Sequence, residues 1–479
     1  MNNKTLVTTH SVDNPAVSAT PATYWDIDLI NKYDLTGPRY TSYPSAVQFH
    51  TSYGETDWIK ACHAVRTHHD DHAALYVHIP FCDTICYYCG CNKIVTANRS
   101  KAATYLAYLK KEITFKAKHL GANTTVDALH LGGGTPTYLN DDQLNELIQH
   151  LRAHFNFTPD IECAIEIHPQ TVSPERIQRL KAIGFNRISL GVQDFDPEVQ
   201  TAVNRYNTAE EVAALIDAAR RAGFRSCSID LMYGLPLQTV DRFTQTLTRL
   251  IALSPDRISL FNYAHLPHLF KTQKQIQTEQ LPSAPEKLHI LHTTIDALCT
   301  HGYEFIGMDH FAKTNDELSI AQRNGHLHRS FQGYSTRGYR VLHAFGVSSI
   351  SSLANHYSQN AKDLTTYYAL LDQDKLPIER GYVLNAEDTL RRHIINRLMC
   401  QFHLDIATLN AQFGIDFFTH FAPEIAALKT LQGDGLLSLS PATLTIHERG
   451  RLLVRSVCKH FDQYAQNDAT ERTRYSRII

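Results

Sequence analysis

The sequence predicts an α/β fold, a full or partial (β/α) barrel. Three observations carry this reading. Short apolar, β-branched runs alternate with amphipathic helical stretches from Ala73 to about Met308. The helical stretches between them carry start and stop signals. The chain has 479 residues, 43% of them hydrophobic, which is ample for a large core without disulfide support.

Taken in order, residues 1–24 are rich in Ser, Thr, Ala and Pro and read as a disordered leader. They lack the apolar core of a secretory signal and the Arg-rich pattern of a transit peptide. Residues 25–72 form an N-terminal segment with the stiff, aromatic stretch Gly37-Pro-Arg-Tyr-Thr-Ser-Tyr-Pro44. The barrel is expected over 73–310. Its strands read Ala74–Ile79, Val126–Leu131, Cys163–Ile167, Arg187–Gly191, Ser226–Asp230 and Arg257–Phe261, with Tyr303–Gly307 as a seventh. Near-continuous apolar runs suit a parallel sheet buried on both faces. Thr208-Ala-Glu-Glu211 is a capping box and Gly223 stops that helix. Ser173-Pro-Glu starts another helix, which Gly184 ends. Residues 311–387 are a barrel extension or connecting region. Residues 388–479 read as a mainly helical, winged-helix-like domain: a helix over 389–400, a two-stranded ribbon near 431–446, and a helix over 448–460.

Lys plus Arg number 46 against 48 Asp plus Glu, a net charge of −2. That balance argues against a nucleic-acid partner. No apolar run is long enough to span a bilayer, so no membrane partner is expected either. A cytoplasmic monomer is the expectation.

Of ten cysteines, Cys82, Cys86, Cys89 and Cys91 lie within ten residues. Phe81-Cys82-Asp-Thr-Ile-Cys86-Tyr-Tyr-Cys89 follows the first strand, at the mouth where barrel active sites are built. Zinc sites use paired Cys or Cys and His at partner distances. Three thiolates at unequal spacing suit three corners of a cubane iron–sulfur cluster. One iron is then open to substrate or cofactor; Cys91 is the alternative fourth ligand. Further polar residues stand at the ends of later strands: Gly132-Gly-Gly-Thr135, Glu166, Gln193 and Asp230. The glycines permit close backbone approach, and their N–H groups suit a carboxylate or ribose.

The cysteine loop resembles the signature of the radical S-adenosylmethionine (SAM) enzymes. Tyr76-Val-His-Ile-Pro-Phe-Cys82, Gly132-Gly-Gly-Thr-Pro-Thr-Tyr-Leu139, Gly191-Val-Gln-Asp-Phe195, Tyr233-Gly-Leu-Pro236, Phe261-Asn-Tyr-Ala-His-Leu-Pro267 and Phe305-Ile-Gly-Met-Asp-His-Phe311 together resemble the oxygen-independent coproporphyrinogen III oxidase family over nearly the whole chain. The resemblance implies a partial barrel of the radical SAM type. It implies a [4Fe-4S] cluster on Cys82, Cys86 and Cys89, with Cys91 a non-ligand, and two SAM molecules. Tyr76, Tyr88, Gly133, Gly134, Thr135, Glu166, Gln193, Arg205, Asp230, Ala264 and Ile350 would line the two cofactor pockets. For Arg205 there is a separate rationale, since a guanidinium pairs bidentately with a carboxylate. The implied reaction removes carbon dioxide from two propionates of coproporphyrinogen III, leaving the vinyls of protoporphyrinogen IX. A 5′-deoxyadenosyl radical would start it, and flavodoxin or ferredoxin would donate the electron.

The chain departs from the family pattern in three places. Tyr88 stands where Phe is usual. Gly338-Tyr-Arg-Val-Leu-His-Ala-Phe-Gly346 lacks the usual acidic residues and has Ala344 in place of a glycine. His168 and Gln170 replace an Asp-Pro-Arg pattern, which is expected to change the charge near the mouth. These changes keep open a diverged paralogue that binds haem or a related tetrapyrrole without this activity. A four-cysteine electron carrier is the third reading, and it requires Cys91 as a ligand.

Overall fold

The computed structural model describes residues 25–33, 37–65, 72–120, 124–338 and 341–465. The proposed leader, 1–24, lies outside them, as do Tyr339 and Arg340 of the divergent segment. Six parallel strands run in sequence order: β1 (Ala73–Ile79), β2 (Thr125–Gly133), β3 (Asn156–Ile167), β4 (Arg187–Gln193), β5 (Ser226–Tyr233) and β6 (Arg257–Asn262). Helices return the chain between them: α1 (Ser100–Leu120), α2 (Asp141–His154), α3 (Pro174–Ile183), α4 (Ala209–Arg221) and α5 (Val240–Leu253). The helix signals are present as read. Thr208 and Glu211 form the reciprocal capping box, and Gly184 takes a φ of +123°.

The strands are not apolar on both faces. Leu75, Val77, Ile79, Leu129, Leu131, Ile165, Ile188, Leu190, Ile229 and Leu231 are buried. The alternate positions carry Tyr76, His78, His130, Glu166, Ser189 and Asp230. Because successive side chains point to opposite faces, one face is an apolar seat for the helices and the other a polar lumen. Registers align the lumen residues in rows. Tyr76 stands beside His130; Gly191, Asp230 and Ser259 follow one another across β4, β5 and β6. At the strand starts, Arg187 pairs with Glu162 at 3.4 Å and Arg257 with Asp316 at 3.0 Å.

The seventh strand, β7 (Tyr303–Gly307), follows α6 (Ala284–Thr300) but does not extend the parallel array. An antiparallel strand, β8 (His310–Lys313), sits between it and β6. At the other edge, β9 (Val341–Phe345) lies parallel to β1. It is followed by antiparallel β10 (Ile350–Leu353), β11 (His356–Asn360) and β12 (Ile378–Val383). These complete a twelve-stranded open sheet. Ala344 is therefore a strand residue paired with Tyr76 and has no positive φ, so its Cβ costs nothing there.

A buried ion pair pins the turn between β9 and β10. Lys116 and Glu112, one helical turn apart on α1, meet at 2.6 Å. Lys116 donates to the Ala344 carbonyl at 2.7 Å, while Glu112 accepts from the Gly346 N–H at 2.8 Å and from Asn360 at 2.7 Å. A fully buried pair persists only when further hydrogen bonds satisfy it, and here those bonds fix the backbone leading to Ile350.

The C-terminal region begins with the helix Ala386–Gln401. Its ribbon has three strands rather than two, because the short His403–Asp405 pairs with Thr443–Ile446 beside Leu437–Leu439. Three residues give no detectable alternation. The expected helix over 448–460 is divided into Glu448–Arg451 and Val454–His460. Gly450, a poor helix former, packs so closely on the ribbon that a Cβ would stand 2.2 Å from the Leu436 carbonyl oxygen. The N-terminal segment is stitched to this region: Arg455 Nε donates to the Pro38 carbonyl at 2.9 Å and the Tyr40 hydroxyl to Asp462 at 3.1 Å.

Candidate active site at the barrel mouth

The cysteine loop leaves β1 at Pro80 and is clasped at its base. Phe81–Cys82 pairs in parallel with Ile94–Val95, and the Ile94 N–H bonds to the Pro80 carbonyl at 2.7 Å. A turn returns Cys89 N–H to the Cys86 carbonyl at 3.3 Å. The loop is also held from the side by the segment after β4. The Tyr87 N–H reaches the Val203 carbonyl at 3.0 Å, and the Asn204 amide reaches the Ile85 carbonyl at 2.7 Å.

The glycine run packs backbone to backbone against this loop. The Gly134 N–H bonds to the Ile79 carbonyl at 2.8 Å, and a Cβ on Gly134 would lie 2.7 Å from the Pro80 oxygen. Thr135 follows, its N–H on the Phe81 carbonyl at 2.8 Å and its hydroxyl 3.6 Å from the Cys82 sulfur. Only glycine permits that approach.

The donor set suits a cluster. Cys86 and Cys89 are near enough to Cys82 to act on its titration, and burial pushes the Cys82 thiol up to about 11. Such a thiol ionises when a bound metal supplies positive charge. Yet among the described residues no three His, Cys, Asp or Glu side chains converge as they would around one ion. The unequal spacing of three thiols on one short loop suits cluster ligation better than the paired ligands of a structural zinc site. Cys91 is exposed and donates its own N–H to the Cys89 sulfur at 3.4 Å.

A cavity of about 360 Å³ opens beside the loop. It brings together four of the residues singled out from sequence: Tyr76, Gly133, Glu166 and Ile350. Glu166 accepts from the Gly133 N–H at 3.2 Å and meets His130 Nε2 at 2.9 Å. The Tyr76 ring stacks on His130, with centroids 5.8 Å apart. The result is a carboxylate, a glycine with φ of +122° and two flat rings in one wall. That wall suits a ligand with an amine and an aromatic part.

Tyr88, Arg205 and Ala264 gather around Cys86 and Gln273 rather than in the lining of that cavity. Arg205 is buried, donates from Nε to the Gly191 carbonyl at 3.1 Å, and has Nη1 3.6 Å from the Cys86 sulfur. Gln273, 2% exposed, donates to both the Tyr88 carbonyl at 3.0 Å and the Ala264 carbonyl at 3.2 Å. Gln193 sits at a bulge at the end of β4, with φ of +73° and a buried amide oxygen lacking a partner among the described residues. Asp230 accepts from Ser189 at 3.0 Å; burial, and then the Glu166 charge, raise its carboxyl to about 6.

His168 does not change the charge of the mouth. It is buried, and burial together with Arg205 lowers it to about 3, so it is neutral at ordinary pH. Gln170 points to solvent. His78, His130, Phe331 and Gln332 also line the cavity and were not singled out from the sequence. The signal for the two histidines was present: each shares the strand parity of Tyr76. Phe331 and Gln332 lie in a hairpin that no local pattern directs toward the lumen.

A family model described as the radical SAM superfamily matches residues 76–250, and one described as the HemN C-terminal domain matches 384–453. A Pseudomonas aeruginosa protein named oxygen-independent coproporphyrinogen III oxidase is 48% identical over 462 residues, covering 95% of this chain and 99% of the relative. The Escherichia coli K12 protein of the same name is 46% identical over 455 residues, covering 95% and 98%. A solved E. coli structure, described as coproporphyrinogen III oxidase (HemN), a radical SAM enzyme, superposes with a TM-score of 0.89 at 44% identity, covering 93% of this chain and all of that one. By its sequence, its cysteine loop and its barrel, the chain belongs to the oxygen-independent coproporphyrinogen III oxidases of the radical SAM superfamily.

Proposed function

We propose that this protein catalyses the oxygen-independent conversion of coproporphyrinogen III to protoporphyrinogen IX in haem biosynthesis. The observation that carries this is 48% identity over 95% of the chain to a relative bearing that activity's name, itself covered to 99%. The relatives compared above carry the oxidase name, and nothing supports the haem-binding alternative. Each of two propionates loses a hydrogen atom, carbon dioxide and one electron, so an electron acceptor is also required.

The cluster and SAM, when bound, supply a one-electron cleavage that yields a carbon radical strong enough to take a hydrogen from an unactivated carbon. Cys82, Cys86 and Cys89 would hold the cluster. Glu166, Gly133 and the Tyr76 ring would orient the cofactor in the 360 Å³ cavity. Tyr88, Gly134, Thr135, Gln193, Arg205, Asp230 and Ala264 would complete the cofactor contacts, with Ile350 closing the first wall. The separation of Tyr76, Gly133, Glu166 and Ile350 in the cavity from Tyr88, Arg205 and Ala264 around Cys86 and Gln273 supports two SAM molecules. The covering segment held by Gln273 would exclude water around them. A flavodoxin- or ferredoxin-type donor, a monomeric state and a cytoplasmic setting complete the proposal; among the described residues no helix is long and apolar enough to cross a membrane.

Anaerobic incubation of the reconstituted protein with coproporphyrinogen III, SAM and a reductant tests it. The expected result is protoporphyrinogen IX with two methionines released per product. Tight tetrapyrrole binding with no product overturns the proposal.

A further inference from the structure

A second polar cluster lies along the lumen wall, away from the cysteine loop. His310 on β8 pairs in register with Ser259 on β6, and Ser259 with Asp230 on β5. Laterally aligned residues share a face, so His310 points to the same side of the sheet as Asp230. Its Nδ1 is buried without a partner among the described residues. Over it lies the hairpin of His328–Ser330 and Gly333–Ser335, whose connecting residues Phe331 and Gln332 line the cofactor cavity. Tyr334 of that hairpin sets its ring 5.2 Å from His310.

Arg329, on the same hairpin, is 9% exposed, and its Nε and Nη1 are buried with no hydrogen-bond partner among the described residues. Its guanidinium lies 4.7 Å from the Tyr334 ring centre. Arg39, from the N-terminal segment, stands close enough for Arg329 to lower its basicity, and among the described residues its one acidic partner is Asp309. Nearby Arg257 is already matched by Asp316 at 3.0 Å, and Arg455 by backbone carbonyls. Burial leaves His310 neutral. Among the described residues the local account is thus the two guanidinium groups of Arg329 and Arg39 against the one carboxylate of Asp309. A buried guanidinium with unmet N–H groups is costly unless an anion completes it.

We infer that Arg329, with Arg39, forms a carboxylate-binding site that takes a propionate of the tetrapyrrole and so sets which edge of the ring faces the cofactor cavity. The inference rests on the proposed function for the identity of the ligand. Its chemistry is independent of it: a planar fork of N–H donors matches a carboxylate bidentately. A substrate with four propionates must present some while others are held, and this cluster stands on the hairpin whose connecting residues line the cavity.

The test uses the cluster-loaded protein under anaerobic conditions. Binding of coproporphyrin III and of its tetramethyl ester, which has the same ring and no charge, is followed by fluorescence. Turnover of coproporphyrinogen III is measured in parallel. The expected result is that the wild-type protein prefers the free acid, and that Arg329→Met loses at least about tenfold of that preference and raises KM similarly, the size of a lost charge-assisted hydrogen bond. Cluster absorption and SAM affinity stay unchanged, and Arg329→Lys recovers part of the preference. Free-acid binding by Arg329→Met equal to wild type, with unchanged KM, overturns the inference. If Arg329→Met does not fold, Arg39→Gln decides the matter by the same two readouts. A wild-type protein that prefers the free acid but makes no protoporphyrinogen upholds the carboxylate site while refuting the proposed activity.

Discussion

Asp230→Asn is predicted to stabilise the protein at neutral pH while weakening its cofactor site. The carboxyl of Asp230 is raised from 3.8 to about 6, first by burial and then by the Glu166 charge. Between those two values the folded protein holds a proton that the unfolded chain has released. Stability therefore falls as pH rises from about 4 to about 6 and stays lowered above. A shift of about two pKa units corresponds to ~3 kcal/mol, which residual contact with water reduces to about 1–2 kcal/mol. Asparagine removes the charge and can still accept from Ser189, whose hydroxyl is 3.0 Å from Asp230 Oδ2. Urea unfolding of SAM-free protein at about pH 7.5 should show a gain of about 1–2 kcal/mol that vanishes toward pH 4. The same variant should bind SAM more weakly. A gain that does not vary with pH, or a loss at pH 7.5, would refute the electrostatic argument. The sacrifice of stability for a charged group is expected where a site needs that charge.

Two further predictions concern the loop and the divergent segment. Cys86→Ser should abolish the cluster's visible absorption on anaerobic reconstitution, whereas Cys91→Ser should retain it; loss in both variants would point to a four-cysteine cluster. Ala344→Gly, which restores the glycine usual in the family, should cost about 1 kcal/mol in unfolding measurements because glycine weakens a strand. It should leave turnover unchanged, since Ala344 is buried in β9 with extended backbone. A rise in turnover would show that the alanine methyl harms the site.

The strands, the helix caps and the cysteine loop were legible locally because each depends on neighbours within a few residues. Thr208 and Glu211 cap one helix end regardless of the rest of the chain. Cys82, Cys86 and Cys89 are close because one short loop holds them. Glu166 and Asp230 were found at strand ends for the same reason, whereas Tyr76, in mid-strand, was reached only through the family resemblance. What stayed hidden was nonlocal. β8 inserted between β6 and β7, and β9 came beside β1 from 260 or more residues away, a choice made by sheet edges rather than by any local signal. That pairing made Ala344, which stands in place of a glycine, an ordinary strand residue, and burial turned His168 from an expected charge into a neutral ring.

The sequence by itself thus determined the repeating strand–helix order and the cluster of thiols, since both are written in short-range pattern and spacing. Tertiary structure alone decided that strand parity makes a polar lumen, that Glu112 and Lys116 hold the turn before Ile350, and that Arg39 and Arg329 meet beside His310. Burial and charge proximity are properties of the assembled surface, and residues hundreds of positions apart acquire them only when the sheet brings them together.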